Sequence, residues 1–217
     1  MVKQERAART RQSLIRAAAE IFASDGFAPA SLATISKRAG VSNGALHFHF
    51  ESKSALAQAV EDEAAATVRR ITEEVATEGG SPLQELVDAT HALMSRLADD
   101  SVVRAGFGLS GDAARRDGAG LRRTWQQWVE EILDEADRAG QLADGVSPDR
   151  AAPAIVAVTV GFEVLGGCEK EWLSEEIVSR FWELLLPRLA EQHEQAPLRS
   201  RPRAGGQPSP PATRQEK

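Results

Sequence analysis

Along most of the chain the apolar positions recur every three to four residues, the spacing of helices that bury one face. Residues 5–24 set Leu14, Ala17, Ala18, Ile21 and Phe22 on one such face, and Asp25-Gly26 ends the run. Two short stretches, around Ile35 and Leu46, flank Gly40. A longer helix is predicted over residues 52–77, with Leu56, Val60, Ala64, Val68, Ile71 and Val75 along it, until Gly79-Gly80 breaks the pattern. Ser81-Pro82-Leu83-Gln84 has the form of a capping box with proline at the first helical position. It opens a helix whose Leu83, Leu86, Val87, Thr90, Leu93, Met94 and Leu97 share a face. Residues 102–110 and 119–139 predict a short and a long amphipathic helix, Ser147-Pro148 opens another that ends near Gly166, and the last spans 174–193. No segment has a convincing strand pattern, so the fold class is all-α.

Two of these helices differ from ordinary surface helices. Ile155, Val156, Val158, Val160, Phe162, Val164 and Leu165 leave the first with almost no polar side, the mark of a buried helix. The last carries Ile177, Val178, Phe181, Trp182, Leu184, Leu185, Leu186 and Leu189, a stripe wider than one neighbour covers. Together they predict a homodimer with Ile155, Phe162, Phe181, Trp182 and Leu185 at the interface. A two-fold dimer presents any reading helix twice, and two such helices enter successive major grooves when they lie about 34 Å apart.

Residues 34–53 supply such a helix. Gly40 stands where a first helix must stop and the backbone turn left-handed, which glycine does cheaply. Val41 fills the corner, and Ser42 is placed to cap a second helix from Asn43 to Phe48. Ile35, Ala39, Val41 and Leu46 close a small core, to which Phe48 and Phe50 are expected to add. Asn43, Gly44, Ala45 and His47 remain outward, small or polar groups that let the backbone approach a groove. Lys53, beyond a cap at Ser52, is placed for a phosphate. Upstream, the start of the first helix, residues 3–11, is a basic arm that ends in Arg11. The expected DNA contacts are therefore Arg11, Thr34, Ser42, Asn43, Gly44, Ala45, His47, His49 and Lys53.

Charge sharpens this picture. Through residue 53 there are eight basic residues against four acidic ones, whereas the 217-residue chain has a formal net charge of −6. A basic head on an acidic body suits a protein that meets phosphate at one end only. His47 and His49 point to nearly opposite sides of a helix and have no carboxylate or thiol at ligand spacing, so no metal site is expected. No nucleophile motif accompanies the four histidines, and no enzyme or cofactor is expected. Cys168 is the single cysteine, which points to a reducing, cytoplasmic setting. The apolar stretch up to Gly167 contains Glu163 and is too short to span a membrane, and no secretory leader is expected. From residue 195 onward, prolines, glycines and arginines predict a disordered tail.

Phe22, Gly26, Phe27, Ile35, Ala39-Gly40-Val41-Ser42, Gly44, Leu46, Phe48-His49-Phe50 and Lys53 together resemble the N-terminal signature of the TetR family of transcriptional repressors. The resemblance covers about the first quarter of the chain. It implies a helix-turn-helix domain over residues 1–53, a ligand-binding and dimerisation domain over 54–194, and the tail over 195–217. Two positions depart from the family pattern, which commonly has a lysine or other long polar residue where Asn43 stands and a tyrosine at His47. Further along, Val103-Arg104-Ala105-Gly106, Trp125, Val160-Gly161 and Val164-Leu165-Gly166-Gly167 resemble the γ-butyrolactone receptors of actinobacteria and the related pseudo-receptors.

That second resemblance implies a repressor of palindromic double-stranded DNA, released by a small effector: a γ-butyrolactone for a receptor, an antibiotic or biosynthetic intermediate for a pseudo-receptor. A tryptophan lines the effector cavity in that group, and Trp125 is the matching position, with Trp128 three residues on as competitor. A lactone with an alkyl tail needs an apolar chamber with one or two donors, for which Leu93, Leu97, Phe107 and Val164 are the candidate walls. A different class stays open on the residues alone, a helical small-molecule carrier whose hairpin never meets DNA.

Overall fold

In the computed structural model, residues 2–111, 120–191 and 198–202 are described, and the helices follow the apolar pattern closely. Their order is α1 (Val2–Asp25), α2 (Leu32–Arg38), α3 (Asn43–His49), α4 (Lys53–Thr77), α5 (Pro82–Asp99), α6 (Ser101–Gly111), α7 (Leu121–Arg138), α8 (Pro148–Gly166), a 3₁₀ turn (Lys170–Leu173) and α9 (Glu175–Leu189). Serine hydroxyls cap the starts of five of them. Ser31, Ser42, Ser52, Ser81 and Ser174 each accept the amide proton three residues on, satisfying one of the orphan donors of a helix N-terminus.

α1 to α3 form the head, with Leu14, Ala18, Ile35 and Leu46 buried between them. α4 runs from the head into the body. There α5, α7 and α8 pack together, and the 3₁₀ turn and α9 close one side. α6 lies against α1 and α4 on one side and against α5 and α7 on the other. Gly106 makes this approach possible, because a Cβ there would stand 2.5 Å from the Ala64 Cβ on α4. The start of α6 is built jointly with the end of α5. Asp100 accepts the Val102 amide at 2.8 Å, while the Arg104 guanidinium donates to the Ala98 carbonyl at 2.9 Å and also to that of Leu97, which places a cation on the negative end of α5.

The last helix is shorter than its apolar pattern predicts, ending at Leu189 instead of near residue 193. Pro187 leaves the Glu183 carbonyl without its helical donor, the helix runs two residues further, and at Ala190 the chain straightens. Leu189 O then accepts the Ala143 amide at 2.9 Å and the Glu191 amide donates to Gln141 O at 2.8 Å, so a single antiparallel bridge ties the end of α9 to the α7–α8 turn. A second difference lies in the tail, where residues 198–202 pack against α5 although the composition predicts disorder. Residues 195–197 and 203–217 lie outside the described residues. Among the described residues no helix is long and apolar enough to cross a membrane.

Candidate DNA-reading surface and effector core

The turn between α2 and α3 is a Schellman motif. Gly40, at φ 69°, donates to Lys37 O at 3.2 Å and Val41 donates to Ser36 O at 3.0 Å, which satisfies the last carbonyls of α2 and fixes the angle at which α3 leaves. The Ser42 hydroxyl accepts the Ala45 amide at 3.2 Å. Asn43 is exposed but not loose: the buried Ser36 hydroxyl, within 3.0 Å of Ala33 O, also meets its side-chain amide. Gly44 and His47 are exposed and Ala45 half-buried, so α3 presents a low surface with one imidazole. Thr34 is exposed at the start of α2 and hydrogen-bonded to Ser31. The Arg11 guanidinium sits 5.3 Å from the Phe50 ring centroid, a cation–π contact that holds the basic arm beside the end of α3.

Lys53, expected to meet a phosphate, is held inward within the head. Its ammonium donates to the carbonyls of Phe27, Ala28 and Ala30 at 2.8, 3.0 and 2.9 Å and lies 4.4 Å from the centre of the Phe27 ring. An ammonium has three protons, and all three are engaged within the head. Phe48 is the second correction. It is 81% exposed instead of buried, with only the half-buried His49 edge-on to it at 5.2 Å. The helical spacing of α3 carries the signal, since Phe48 lies two positions from Leu46 and therefore on another side.

In the body, Trp125 is fully buried. Its indole N–H donates to Thr159 Oγ1 at 3.0 Å, and its ring stacks on half-buried Trp128 at 5.0 Å. Thr159 is not among the residues that pattern or resemblance singles out; it is a hydroxyl in the otherwise apolar α8 run, four residues before Glu163 and on the same side. Leu93, Leu97 and Phe107 are buried in the same continuous core. Val164 is not a chamber wall, being 52% exposed. None of Trp125, Leu93, Leu97, Phe107 and Val164 borders the cavity of about 440 Å³ between α4, α5 and the start of α9, whose apolar lining includes Ile71, Val75, Met94 and Val178.

Glu163, also on α8, receives a two-point salt bridge from Arg122 of α7 at 2.8 and 3.1 Å. Burial pushes its carboxyl above the usual carboxylate range, and the Arg122 charge and hydrogen bonds only partly oppose that.

The expected dimer residues divide in two. Ile155, Phe162 and Trp182 are buried inside the subunit, where the inner faces of α8 and α9 meet the core, and offer a second copy little surface. Phe181 and Leu185 are half-buried. The apolar groups turned to solvent are Val164, Leu165 and, at 80% exposure, Leu184. A helix that is apolar on both sides reads the same whether a side faces its own core or a partner, which is why the sequence did not separate them.

A three-helix head with an exposed reading helix, on a helical body with its own core, defines a helix-turn-helix regulator. Residues 14–60 match the model of the bacterial regulatory proteins of the tetR family. Over 194 residues the chain is 34% identical to the A-factor receptor protein of Streptomyces griseus, covering 88% of this chain and 67% of that one. Among solved structures it is similar to a γ-butyrolactone receptor described as ArpA-like, with TM-score 0.75 and 28% identity over 86% of this chain and 91% of that one. CprB of Streptomyces coelicolor, solved with its biological operator sequence, gives TM-score 0.72 and 29% identity over 86% and 91%. The chain belongs to the tetR family of bacterial regulatory proteins. Within that family it groups with the γ-butyrolactone receptors, and its homologues are transcriptional regulators, not enzymes.

Proposed function

We propose that this protein is a cytoplasmic, dimeric repressor that holds a palindromic operator through two copies of α3 and lets go when a small apolar effector of the γ-butyrolactone type enters the core beside Trp125. The observation that carries the reading is the position of α6. It touches α5 and α7, which bound the Trp125 core, and it touches α1 and α4, which carry the head. An effector that favours another packing of α6 changes the setting of the reading helices, provided it binds that packing more tightly. Arg11, Thr34, Ser42, Asn43, Gly44, Ala45, His47 and His49 face the operator in this reading, and Val164, Leu165 and Leu184 join the two subunits.

Trp125 and Thr159 provide the polar pair for the effector's carbonyl, with Leu93, Leu97 and Phe107 as apolar surroundings. The likeness to receptors that carry the lactone name supports the effector class. The test is release of a promoter fragment that contains a palindrome, followed by fluorescence anisotropy. A γ-butyrolactone is expected to release the native protein, and Trp125→Phe is expected to bind the fragment as before but resist release. Normal release of that variant would remove Trp125 from the effector site. Release by an antibiotic and not by the lactone would make the protein a pseudo-receptor.

A further inference from the structure

α5 carries three polar side chains, Gln84, Asp88 and His91, at positions four and three residues apart, so they form one stripe. All three are less than a tenth exposed. Part of what covers them is the chain's own residues 198–202. Gln84 Oε1 accepts the Arg199 amide proton at 2.9 Å, and Gln84 Nε2 donates both to Arg199 O at 3.3 Å and to Asp88 Oδ1 at 3.0 Å. One carboxamide thus meets the N–H and the C=O of one residue, as an adjacent strand would. His91 Nε2 lies 2.9 Å from Ser200 O and, because a carbonyl only accepts, carries the proton. These contacts grip main chain, the way extended peptides gain affinity, and leave selectivity to the side chains.

The surroundings select for positive charge. Arg201 borders a recess of about 480 Å³ together with Glu175, Glu176 and Glu183 of α9; Arg180 lines it too and is paired with Glu176, which leaves the carboxylates in excess. Ser179 borders the same recess. It is 4% exposed, and its hydroxyl has no hydrogen-bond partner among the described residues. Pro202 lies on the wall of the 440 Å³ cavity, whose rim carries Glu74, Glu78, Asp99 and Glu175 and, among the described residues, no lysine or arginine.

We propose that the seam between α5 and α9 is a binding site for an extended, arginine-bearing peptide, filled in cis by residues 198–202, which form a reversible latch between the effector core and α9. The charge of Arg201 beside Glu175, Glu176 and Glu183, and the two-point grip on the Arg199 main chain, favour this segment over any other occupant. The latch is independent of which effector releases the repressor.

Limited trypsin digestion of the full chain tests it, because Arg199-Ser200 lies in the latch, Arg203-Ala204 lies just beyond, and an Arg-Pro bond at 201 resists the enzyme. Cleavage after Arg199 is expected to be at least about tenfold slower than after Arg203. Gln84→Ala removes the two-point grip. Arg201→Glu, an exposed change that leaves the helices intact, turns attraction into repulsion. Each is expected to abolish the protection at Arg199 and leave Arg203 unaffected. Equal cleavage at both sites in the native chain, or protection that survives Arg201→Glu, overturns the proposal. A synthetic peptide of residues 197–203 in excess is expected to speed hydrogen exchange of the chain's own latch. No effect, or an equal effect from a scrambled peptide, reduces the site to fixed packing or to general charge attraction and likewise overturns it.

Discussion

One cation of the basic head stays inside. Lys53 follows a helix cap and sits near the reading helix, which is where a phosphate ligand would stand, yet three carbonyls of the α1–α2 connection take its protons. Charge-assisted hydrogen bonds in a half-buried setting are each worth about 1.5–3 kcal/mol. Lys53→Met is expected to lower the stability of the protein by about 2 kcal/mol in denaturant unfolding, while the salt dependence of operator binding keeps its slope. A shallower slope would return Lys53 to the phosphates.

His91 is the buried imidazole of α5. Burial lowers its pKa from the usual histidine value, against the opposing hydrogen bond to Ser200 and the charges of Glu175 and Asp88. The unfolded chain therefore binds a proton that the folded chain refuses, so stability is complete above about pH 6.5 and falls as pH drops below it toward the folded pKa. Glu163 works in the opposite sense. Its raised pKa means the folded chain takes a proton more readily, so falling pH relieves a cost. His91→Gln is expected to flatten the loss of stability below pH 6.5 in denaturant titrations, and an unchanged pH profile would count against it. None of this was legible in the sequence, because titration depends on what covers a side chain and His91 is covered by residues more than a hundred positions away.

Elements were far more legible. The starts of α3, α4 and α5 follow from Ser42, Ser52 and Ser81, whose caps are local, and the end of α2 from Gly40, whose backbone requirement is local too. The end of α9 was not, since the bridge from Ala190 to Leu142 brings together segments distant in sequence. The orientation of α6 also escaped, although Gly106 was in the motif noted for it. A glycine in a helix leaves space, but only the fold shows that Ala64 fills it. Gly106→Ala must push α6 from α4, and overpacking of this kind costs about 1–3 kcal/mol. Thermal unfolding is expected to show that loss, together with weaker operator binding at temperatures where the variant is still folded. Unchanged stability would mean that α6 can shift freely.

For the whole molecule, the sequence specified a basic reading head on an acidic helical body and the need for a second subunit, but not which apolar residues serve that need. Ile155, Phe162 and Trp182 are used within one chain, and Leu184 is exposed. Leu184→Glu is therefore expected to leave a folded monomer, seen by light scattering and circular dichroism, with operator affinity reduced by at least about a hundredfold because a half-site alone is bound. A dimer that persists with a charge at this position would place the interface elsewhere.

The Lys53 clamp also determines how far a small change in the body is felt. Because the first residue of α4 is fastened to the α1–α2 connection, the head cannot hinge freely at the top of α4 and must swing with it. The 25 residues of α4 make a lever of roughly 37 Å. A tilt of about 5° at its far end sweeps the head through roughly 3 Å, close to the rise of one base pair. In the dimer proposed above, two such levers swinging apart would change the spacing of the α3 pair by roughly 6 Å, close to two steps of the DNA ladder, from a motion no larger than a side chain changing its packing.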